Sequence, residues 1–195
     1  LGDDGSNNNA PVAQNDTGTI NEDATLTVAN GDNANTVAGA SFVDSFDISG
    51  QETFPTDLTF NNDGTKMFVV GTNGDDVNEY TLSTGFDVST ASFVDSFDIS
   101  GQETTPLSLA FNTDGTKMFV SGVQGADVNE YTLSTGFDVS TASFVDSFDI
   151  SGQETTPLSL AFNTDGTKMF VSGVQGADVN EYTLSTGFDV STASF

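Results

Sequence analysis

The sequence predicts an all-β fold built from repeated four-stranded antiparallel units. Residues 92–142 return without change as residues 143–193, and they occur once more, with nine substitutions, as residues 41–91. Within each 51-residue unit, four short β-prone segments alternate with turn-rich links, and no segment keeps a helical period beyond one turn. Because self-similarity at a fixed period indicates a repeat architecture, this unit is the building block of the predicted fold.

The middle unit shows the predicted strands most clearly. Strand A (residues 106–112) alternates apolar and polar residues, whereas strand B (residues 117–121) is almost continuously apolar, which predicts burial on both faces. Residues 112–115 join the two as a hairpin turn, because Asp-Gly supplies the positive φ that such turns need. Strand C (residues 127–134) alternates again, and strand D (residues 143–151) leads into the next unit.

Aromatic residues recur at fixed places in each unit, as a packed core requires. Alternation along residues 91–100 predicts that Phe93, Phe97 and Ile99 share one face of a strand D. Each strand C carries a tyrosine that could stack on sugars if exposed; we expect strand packing instead for Tyr80, Tyr131 and Tyr182.

Four strands in about 50 residues is the size of a β-propeller blade, whereas the main alternative, a stacked β-solenoid, uses about 20–30 residues per turn. The string PLSLAFNTDGTKMFVSG, residues 106–122, carries a proline, an apolar alternation, an Asp-Gly hairpin and a Phe-Val strand. It resembles the inner two strands of bacterial YVTN-like and lactonase-like propeller blades. The resemblance spans all three units and implies an extracellular bacterial repeat protein with propeller-like blades.

The first 40 residues differ in kind from the repeats. Residues 1–9 read as a polar linker, and two β-prone pieces, residues 11–20 and 24–29, flank a turn-like segment. The pattern PVAxNDxxxxxEDxxLTV resembles the opening of cadherin-like repeats in large bacterial surface adhesins, although the rest of that sandwich is absent. We therefore predict an extended N-terminal β arm, either a relic or a pair of strands that complete a sheet elsewhere.

The predicted organisation has four parts: the arm (residues 1–40) and repeats 1 (41–91), 2 (92–142) and 3 (143–195), the last without its final strand. The array opens with a lone strand D at residues 41–49. Closed propellers need about four blades or more. Three outcomes stay open: two chains exchange D strands in a six-bladed ring, chains pass D strands head to tail into a filament, or the sequence is a piece of a longer array. Since it does not begin with Met, we expect a processed product or such a piece.

The predicted contacts between chains lie at the two ends of the array, because an unpaired strand edge is a template for pairing. The assembly strand contributes Ser41, Phe42, Val43, Phe46 and Ile48, and the acceptor edge contributes Val179, Glu181, Tyr182 and Leu184. The predicted partner is another copy of the chain, with cell-surface glycans as a second candidate.

The charge of the chain restricts its other partners. It has 29 acidic residues against three lysines, with no arginine or histidine, for a net charge of −26. Almost nothing can therefore neutralise phosphates, which excludes nucleic acid and anionic membrane surfaces. Membrane insertion is not expected either, because no run approaches about 20 apolar residues.

No catalytic residues are predicted. Without His or Cys, the chain cannot form a Ser-His-Asp triad or use thiolate chemistry. Lys66, Lys117 and Lys168 occupy equivalent positions, and we expect them to neutralise neighbouring carboxylates. Paired carboxylates for glycoside hydrolysis stay open, although side chains repeated in every blade normally serve the blade. No cofactor is required on this reasoning.

Calcium is the one cofactor that the sequence suggests. The Asn-Asp-Gly turns lack the spacing and the terminal Glu of an EF-hand loop. Loop carboxylates are better candidates for a Ca²⁺ site, namely Asp75, Asp76, Asp87, Asp138 and Asp189. Asx-turns explain the repeated Phe-Asp-Val-Ser string without a metal.

Together these patterns favour a non-enzymatic structural or adhesive protein of the bacterial cell surface. Near-identical repeats suit a role in which length and valency matter, with self-assembly by strand complementation. The alternative is a carbohydrate-binding propeller module of a large adhesin. A lactonase-like enzyme ranks third, because the His and varied acidic residues that such sites use are missing.

Overall fold

The computed structural model describes residues 41–195, in which the strands form three four-stranded antiparallel sheets. The first sheet, blade 1, contains β1 (Pro55–Phe60), β2 (Lys66–Gly71), β3 (Asp76–Leu82) and β4 (Ala91–Asp98). Blade 2 contains β5 (Pro106–Phe111), β6 (Lys117–Gly122), β7 (Asp127–Leu133) and β8 (Ala142–Asp149). Blade 3 contains β9 (Pro157–Phe162), β10 (Lys168–Gly173), β11 (Val179–Leu184) and the short β12 (Ala193–Ser194).

The prediction of an all-β fold with four-stranded propeller-like blades is confirmed. In each blade the strands lie in sequence order, first to fourth. The predicted N-terminal arm and its cadherin-like pattern lie outside the described residues. The helices in residues 41–195 are three-residue 3-10 turns, Val88–Thr90, Val139–Thr141 and Val190–Thr192, and none is long and apolar enough to cross a membrane.

The hairpin forms as predicted in each blade, and the second strand is buried as predicted in blades 1 and 2, whereas β10 of blade 3 is only partly buried. In blade 2, the Asp-Gly turn places Gly115 at φ 72°, and its amide donates to Asn112 O at 3.1 Å. In β6 every residue after Lys117 is buried. The continuous apolar run is required because both faces of the strand are covered by neighbouring blades.

The first strands of the three blades, β1, β5 and β9, run side by side. Leu109 N donates to Asp57 Oδ2 at 2.9 Å, and Leu160 N donates to Ser108 Oγ at 3.0 Å. The strands are therefore tied at equivalent points, as expected of the inner strands of a propeller.

Neighbouring blades bury an apolar core between their faces. Blades 1 and 2 are joined by a cluster that includes Phe68, Val70, Val77, Leu109, Met118 and Tyr131. Blades 2 and 3 are joined by the equivalent cluster, which includes Phe119, Val128, Leu160, Met169 and Tyr182. The expected packing role of the three tyrosines is confirmed, since each ring is fully buried.

The prediction that Phe93 shares a face with Phe97 is wrong, because β4 contains a bulge. The register of β3 and β4 shifts between Glu79 and Tyr80. The Phe93 ring packs on Tyr80 of its own blade at 5.8 Å, whereas Phe97 packs on Tyr131 of blade 2 at 5.6 Å. The extra residue of the bulge turns the two phenylalanines to opposite faces.

The predicted lone strand D, residues 41–49, is not paired in a sheet among the described residues. Phe46 nevertheless packs edge-on against Tyr80 at 5.7 Å, as Phe97 does against Tyr131. Phe46 and Ile48 also border the apolar cluster on the outer face of blade 1. This segment therefore lies where the fourth strand of a preceding blade would lie.

Candidate functional site

A groove crosses the ends of the inner strands, on the side of the Asp-Gly turns. Its volume is about 320 Å³. All three blades line it, with Thr59, Phe60, Asn62, Ala110, Phe111, Asn112, Thr113, Phe137, Phe162, Asn163, Thr164 and Phe188. None of these residues carries a charge, although the chain has a net charge of −26.

The rings that line the groove are fixed by packing across the blade interface. Phe162 lies 4.5 Å from Phe119 and 5.5 Å from Phe188, between ring centroids. The same three-ring arrangement joins Phe68, Phe111 and Phe137 one blade earlier. Packing between the blades thus holds the rings of the apolar wall in place, as in a preformed ligand site.

Some polar groups of the groove already form hydrogen bonds within the protein and others do not. Both ends of the Asn112 side-chain amide are hydrogen-bonded, because it accepts from Lys117 N at 2.9 Å and donates to Thr116 Oγ1. Asn62 Nδ2 donates to Thr113 O at 2.8 Å. Within residues 41–195, the hydroxyl of Thr59 and the carbonyl oxygen of the Asn62 side chain have no hydrogen-bond partner, so both can bind a ligand.

Substitutions in the first repeat make the groove asymmetric. Thr59 and Asn62 stand where repeats 2 and 3 have alanine and threonine, respectively. Sequence reasoning missed these two residues because they form no catalytic pattern. The clustering of substitutions could have pointed to them, since five of the nine substitutions of repeat 1 fall between residues 54 and 62, along the inner strand.

The opposite side of each blade contains a buried acidic corner, defined in blade 2 by Glu103, Asp127 and Tyr131. Glu103 is fully buried, and its Oε1 accepts from Thr105 N at 2.6 Å and from Gln124 N at 3.1 Å. Burial and the nearby Asp127 charge raise the pKa of Glu103 above its usual 4.5. Burial likewise raises the pKa of Tyr131, with the Asp127 charge as the next cause. Since the corner recurs in each blade, we assign it to blade structure.

The raised pKa of Glu103 predicts a pH dependence of stability. In the folded protein Glu103 binds its proton at a pH where the unfolded chain is still ionised, so this group adds stability as pH falls from 7 towards 4.5. The glutamine in Glu103→Gln is neutral at every pH. Between pH 7 and pH 5, the free energy of unfolding of this variant, measured by urea denaturation, should therefore rise less than that of the wild type. The control is Asp95→Asn, a change at an exposed side chain, and its free energy of unfolding should rise as much as that of the wild type. An equal gain in Glu103→Gln would contradict the assignment.

A lysine–glutamate pair joins blade 1 to blade 2, and an equivalent pair joins blade 2 to blade 3; we call this contact the blade latch. Lys66 Nζ donates to Glu79 Oε1 at 2.6 Å and to the carbonyl of Phe137 in blade 2 at 2.5 Å. Glu79 Oε2 accepts from Val139 N at 3.0 Å. Lys117 and Glu130 bind the loop of blade 3 in the same way, through Phe188 O and Val190 N. The expectation that the lysines neutralise carboxylates is confirmed.

The carboxylates predicted to bind calcium are not brought together. Asp87, Asp138 and Asp189 each cap a 3-10 turn and accept from the serine two residues on. Asp76 accepts from Asn78 Nδ2 at 2.7 Å, and Asp75 adopts a positive φ of 54°. Across residues 41–195, no group of three or more acidic side chains is placed to hold a metal ion. Calcium binding stays a prediction.

The predicted acceptor edge is partly closed. Thr183 and Leu184 of β11 pair with β12, which leaves the stretch from residue 179 to residue 182 open. Val179 and Glu181 are exposed, whereas the Tyr182 and Leu184 side chains are buried in the core with blade 2. In the predicted assembly strand, Ser41, Phe42 and Val43 belong to no strand. Pairing between chains through these residues stays a prediction.

Comparison with known proteins identifies the fold. No family model and no curated protein matches the chain. A solved structure described as a candidate 6-phosphogluconolactonase from Bacteroides fragilis is 14% identical, with a TM-score of 0.53, and the match covers 71% of this chain and 36% of that one. The periplasmic gluconolactonase PpgL of Pseudomonas aeruginosa is 17% identical, with a TM-score of 0.54 over 72% of this chain and 39% of that one. The β-propeller domain of Cps50 (Swd1) from Myceliophteria thermophila is 12% identical, with a TM-score of 0.50 over 67% of this chain and 40% of that one.

These comparisons correct the functional prediction. Structures that share the fold include proteins named as lactonases, so the predictions of a non-enzymatic structural or adhesive protein, and of a chain that is not an enzyme, are wrong. The chain spans less than half the length of these proteins. At such low identity the likeness shows the fold alone. The chain is a repeat protein with the β-propeller fold found in lactonase-like proteins.

Proposed function

We propose that the chain supplies three blades of a propeller enzyme that hydrolyses a cyclic ester of a sugar acid. The observation that carries the proposal is the uncharged groove, which the first repeat makes asymmetric through Thr59 and Asn62. A hydroxylated ring matches both walls of the groove, because its carbon face packs on phenylalanine and its hydroxyl groups bond to amide and hydroxyl side chains. The lactonase names among the fold neighbours support this class of substrate.

Charge favours a neutral lactone over a phosphorylated one. Each of the three lysines already pairs with a glutamate, and the chain carries 29 acidic residues. A phosphate would therefore meet repulsion without a free cation to bind it. We take δ-gluconolactone as the test substrate, with its 6-phosphate as the disfavoured relative.

In the reaction, a water oxygen bonds to the lactone carbonyl carbon, the ring C–O bond breaks, and the leaving oxygen takes up a proton to give the hydroxy acid. The groove binds and orients the lactone. This lowers the activation barrier of hydrolysis, because the bound substrate has already lost translational and rotational freedom. Its residues carry no base. Asp57, the one carboxylate on the inner strands described here, already accepts from Leu58 N, Ser108 Oγ and Leu109 N. We therefore assign activation of the water to a group outside this lining.

The test is acid release from δ-gluconolactone, measured by pH-stat above the spontaneous rate. Thr59→Ala combined with Asn62→Thr converts the groove to the residues of repeats 2 and 3, so the fold should tolerate it. We expect kcat/KM to fall by about tenfold or more, as the loss of one or two hydrogen bonds implies. The control is Phe54→Thr, another reversion to the later repeats, which lies outside the groove and should leave the rate unchanged. A wild-type rate equal to the spontaneous one would overturn the proposal.

A further inference from the structure

Blade 3 carries an open copy of the blade latch. Lys168 and Glu181 form the same ion pair as Lys117 and Glu130, since the repeats are identical. Their side chains are 45% and 49% exposed, whereas Glu79 and Glu130 are 2% exposed beneath the loop of the next blade. Among the described residues, no backbone carbonyl or amide completes this third latch.

The apolar part of the same face is also uncovered. Val179 is 68% exposed, although the equivalent Val77 and Val128 are fully buried by the blades that follow them. Phe170 is half-buried and lacks the ring partners that Phe119 finds in Phe162 and Phe188. Blade 3 thus has the same face that blades 1 and 2 use to bind the next blade, and none of residues 41–195 packs on it.

Blade 1 presents the complementary face at the other end of the array. Its loop carries Phe86 and Val88, which are equivalent to the Phe137 and Val139 that complete the first latch. Phe86 is 61% exposed, and Leu58 is 55% exposed, although the equivalent Leu109 is 4% exposed between blades 1 and 2. No lysine in residues 41–195 donates to the Phe86 carbonyl. The two ends are therefore the two halves of an interface that the chain already forms twice.

We infer that blade 3 of one chain docks on blade 1 of a second copy, and that two copies close a six-bladed ring through two such contacts. Lys168 would donate to the partner's Phe86 carbonyl, Glu181 would accept from the partner's Val88 amide, and Phe170 would pack against the rings of Phe60 and Phe86. Repeat identity argues for this occupant, because the loop from residue 83 to residue 91 equals the loop that blade 2 offers to blade 1. The three described blades of one copy are too few to close a ring, and the six of two copies lie within the range of propellers. Head-to-tail contacts give rings where the rotation closes.

The test is sedimentation velocity of the full chain across a range of concentrations. We expect a discrete species of twice the chain mass. Glu181→Ala alters an exposed side chain and should raise the dimer dissociation constant by about tenfold or more, because a charge-assisted hydrogen bond is lost. Val88→Pro removes the matching amide at the first position of a 3-10 turn, where proline fits.

A double-mutant cycle decides whether these two residues meet. Since Glu181 and Val88 contribute to one contact, the double variant should weaken the dimer by little more than either single variant. Purely additive losses would overturn the assignment of the contact. A chain that stays monomeric, a dimer that Glu181→Ala leaves unchanged, or assemblies that keep growing with concentration would each overturn the two-copy ring. Lactone hydrolysis is measured separately, so failure of one proposal does not decide the other.

Discussion

Replacing Gly122 with alanine is expected to destabilise the protein by about 3 kcal/mol or more. A Cβ at this position would lie 2.4 Å from the carbonyl oxygen of Thr105 and 2.5 Å from the carboxylate of Glu103. The Thr105 oxygen cannot move away unless β5 moves with it. The Glu103 carboxylate cannot move away without losing its hydrogen bonds from the backbone amides of Thr105 and Gln124. Overpacking costs about 1–3 kcal/mol, and loss of hydrogen bonds to a buried charged group adds to it.

The matched control is Gly101→Ala in the loop that leads to the same acidic corner. No heavy atom lies within 4 Å of a Cβ added there. Its effect should stay within about 0.5 kcal/mol, with a slight stabilisation from the stiffer unfolded chain. Urea denaturation of the three proteins measures both values. Similar midpoints for the two variants would show that Glu103 is not held against Gly122.

Phe119→Ala is expected to cost about 4 kcal/mol, the range found for the loss of a buried aromatic ring. Phe119 is fully buried at the interface of blades 2 and 3. Its ring lies 4.5 Å from Phe162 and 6.2 Å from Phe188. The cavity would open between two rigid sheets, which limits how far the site can relax.

Phe54→Thr provides the comparison for this variant, because repeats 2 and 3 already have threonine at the equivalent position. The Phe54 side chain is 67% exposed, so its removal should change the free energy of unfolding by less than about 0.5 kcal/mol. The measurement is the same urea titration. A loss below about 1 kcal/mol for Phe119→Ala would mean that the three-ring cluster does not hold the blades together.

The strands and turns could be predicted from the sequence because they depend on neighbours in the chain. The Asp-Gly turn before Lys117 and the apolar run of β6 are local patterns. The bulge in β4 was missed, since an extra residue opposite Glu79 and Tyr80 leaves the alternation of Phe93 and Phe97 unchanged in the sequence.

The candidate site was harder to predict because its contacts join distant parts of the chain. Lys66 meets the Phe137 carbonyl 71 residues later, and Asn62 meets Thr113 51 residues later. The lysine pattern predicted ion pairs but could not identify Glu79 as the partner or the neighbouring loop as the third member. The burial of Glu103 was not predicted, because it depends on the backbone at Gly122, which leaves room for the carboxylate and lies elsewhere in the sequence.

The blade latch also has a consequence for how the chain folds during synthesis. Each blade draws all its paired strands from one continuous stretch, so its hydrogen bonds can form as soon as that stretch leaves the ribosome. The loop that covers Lys66 and Glu79 emerges about one repeat later. The ion pair and the apolar face of every newly made blade are therefore exposed to solvent for a time. They are desolvated when the next blade docks. Stability should accordingly grow in steps along the nascent chain, one interface at a time.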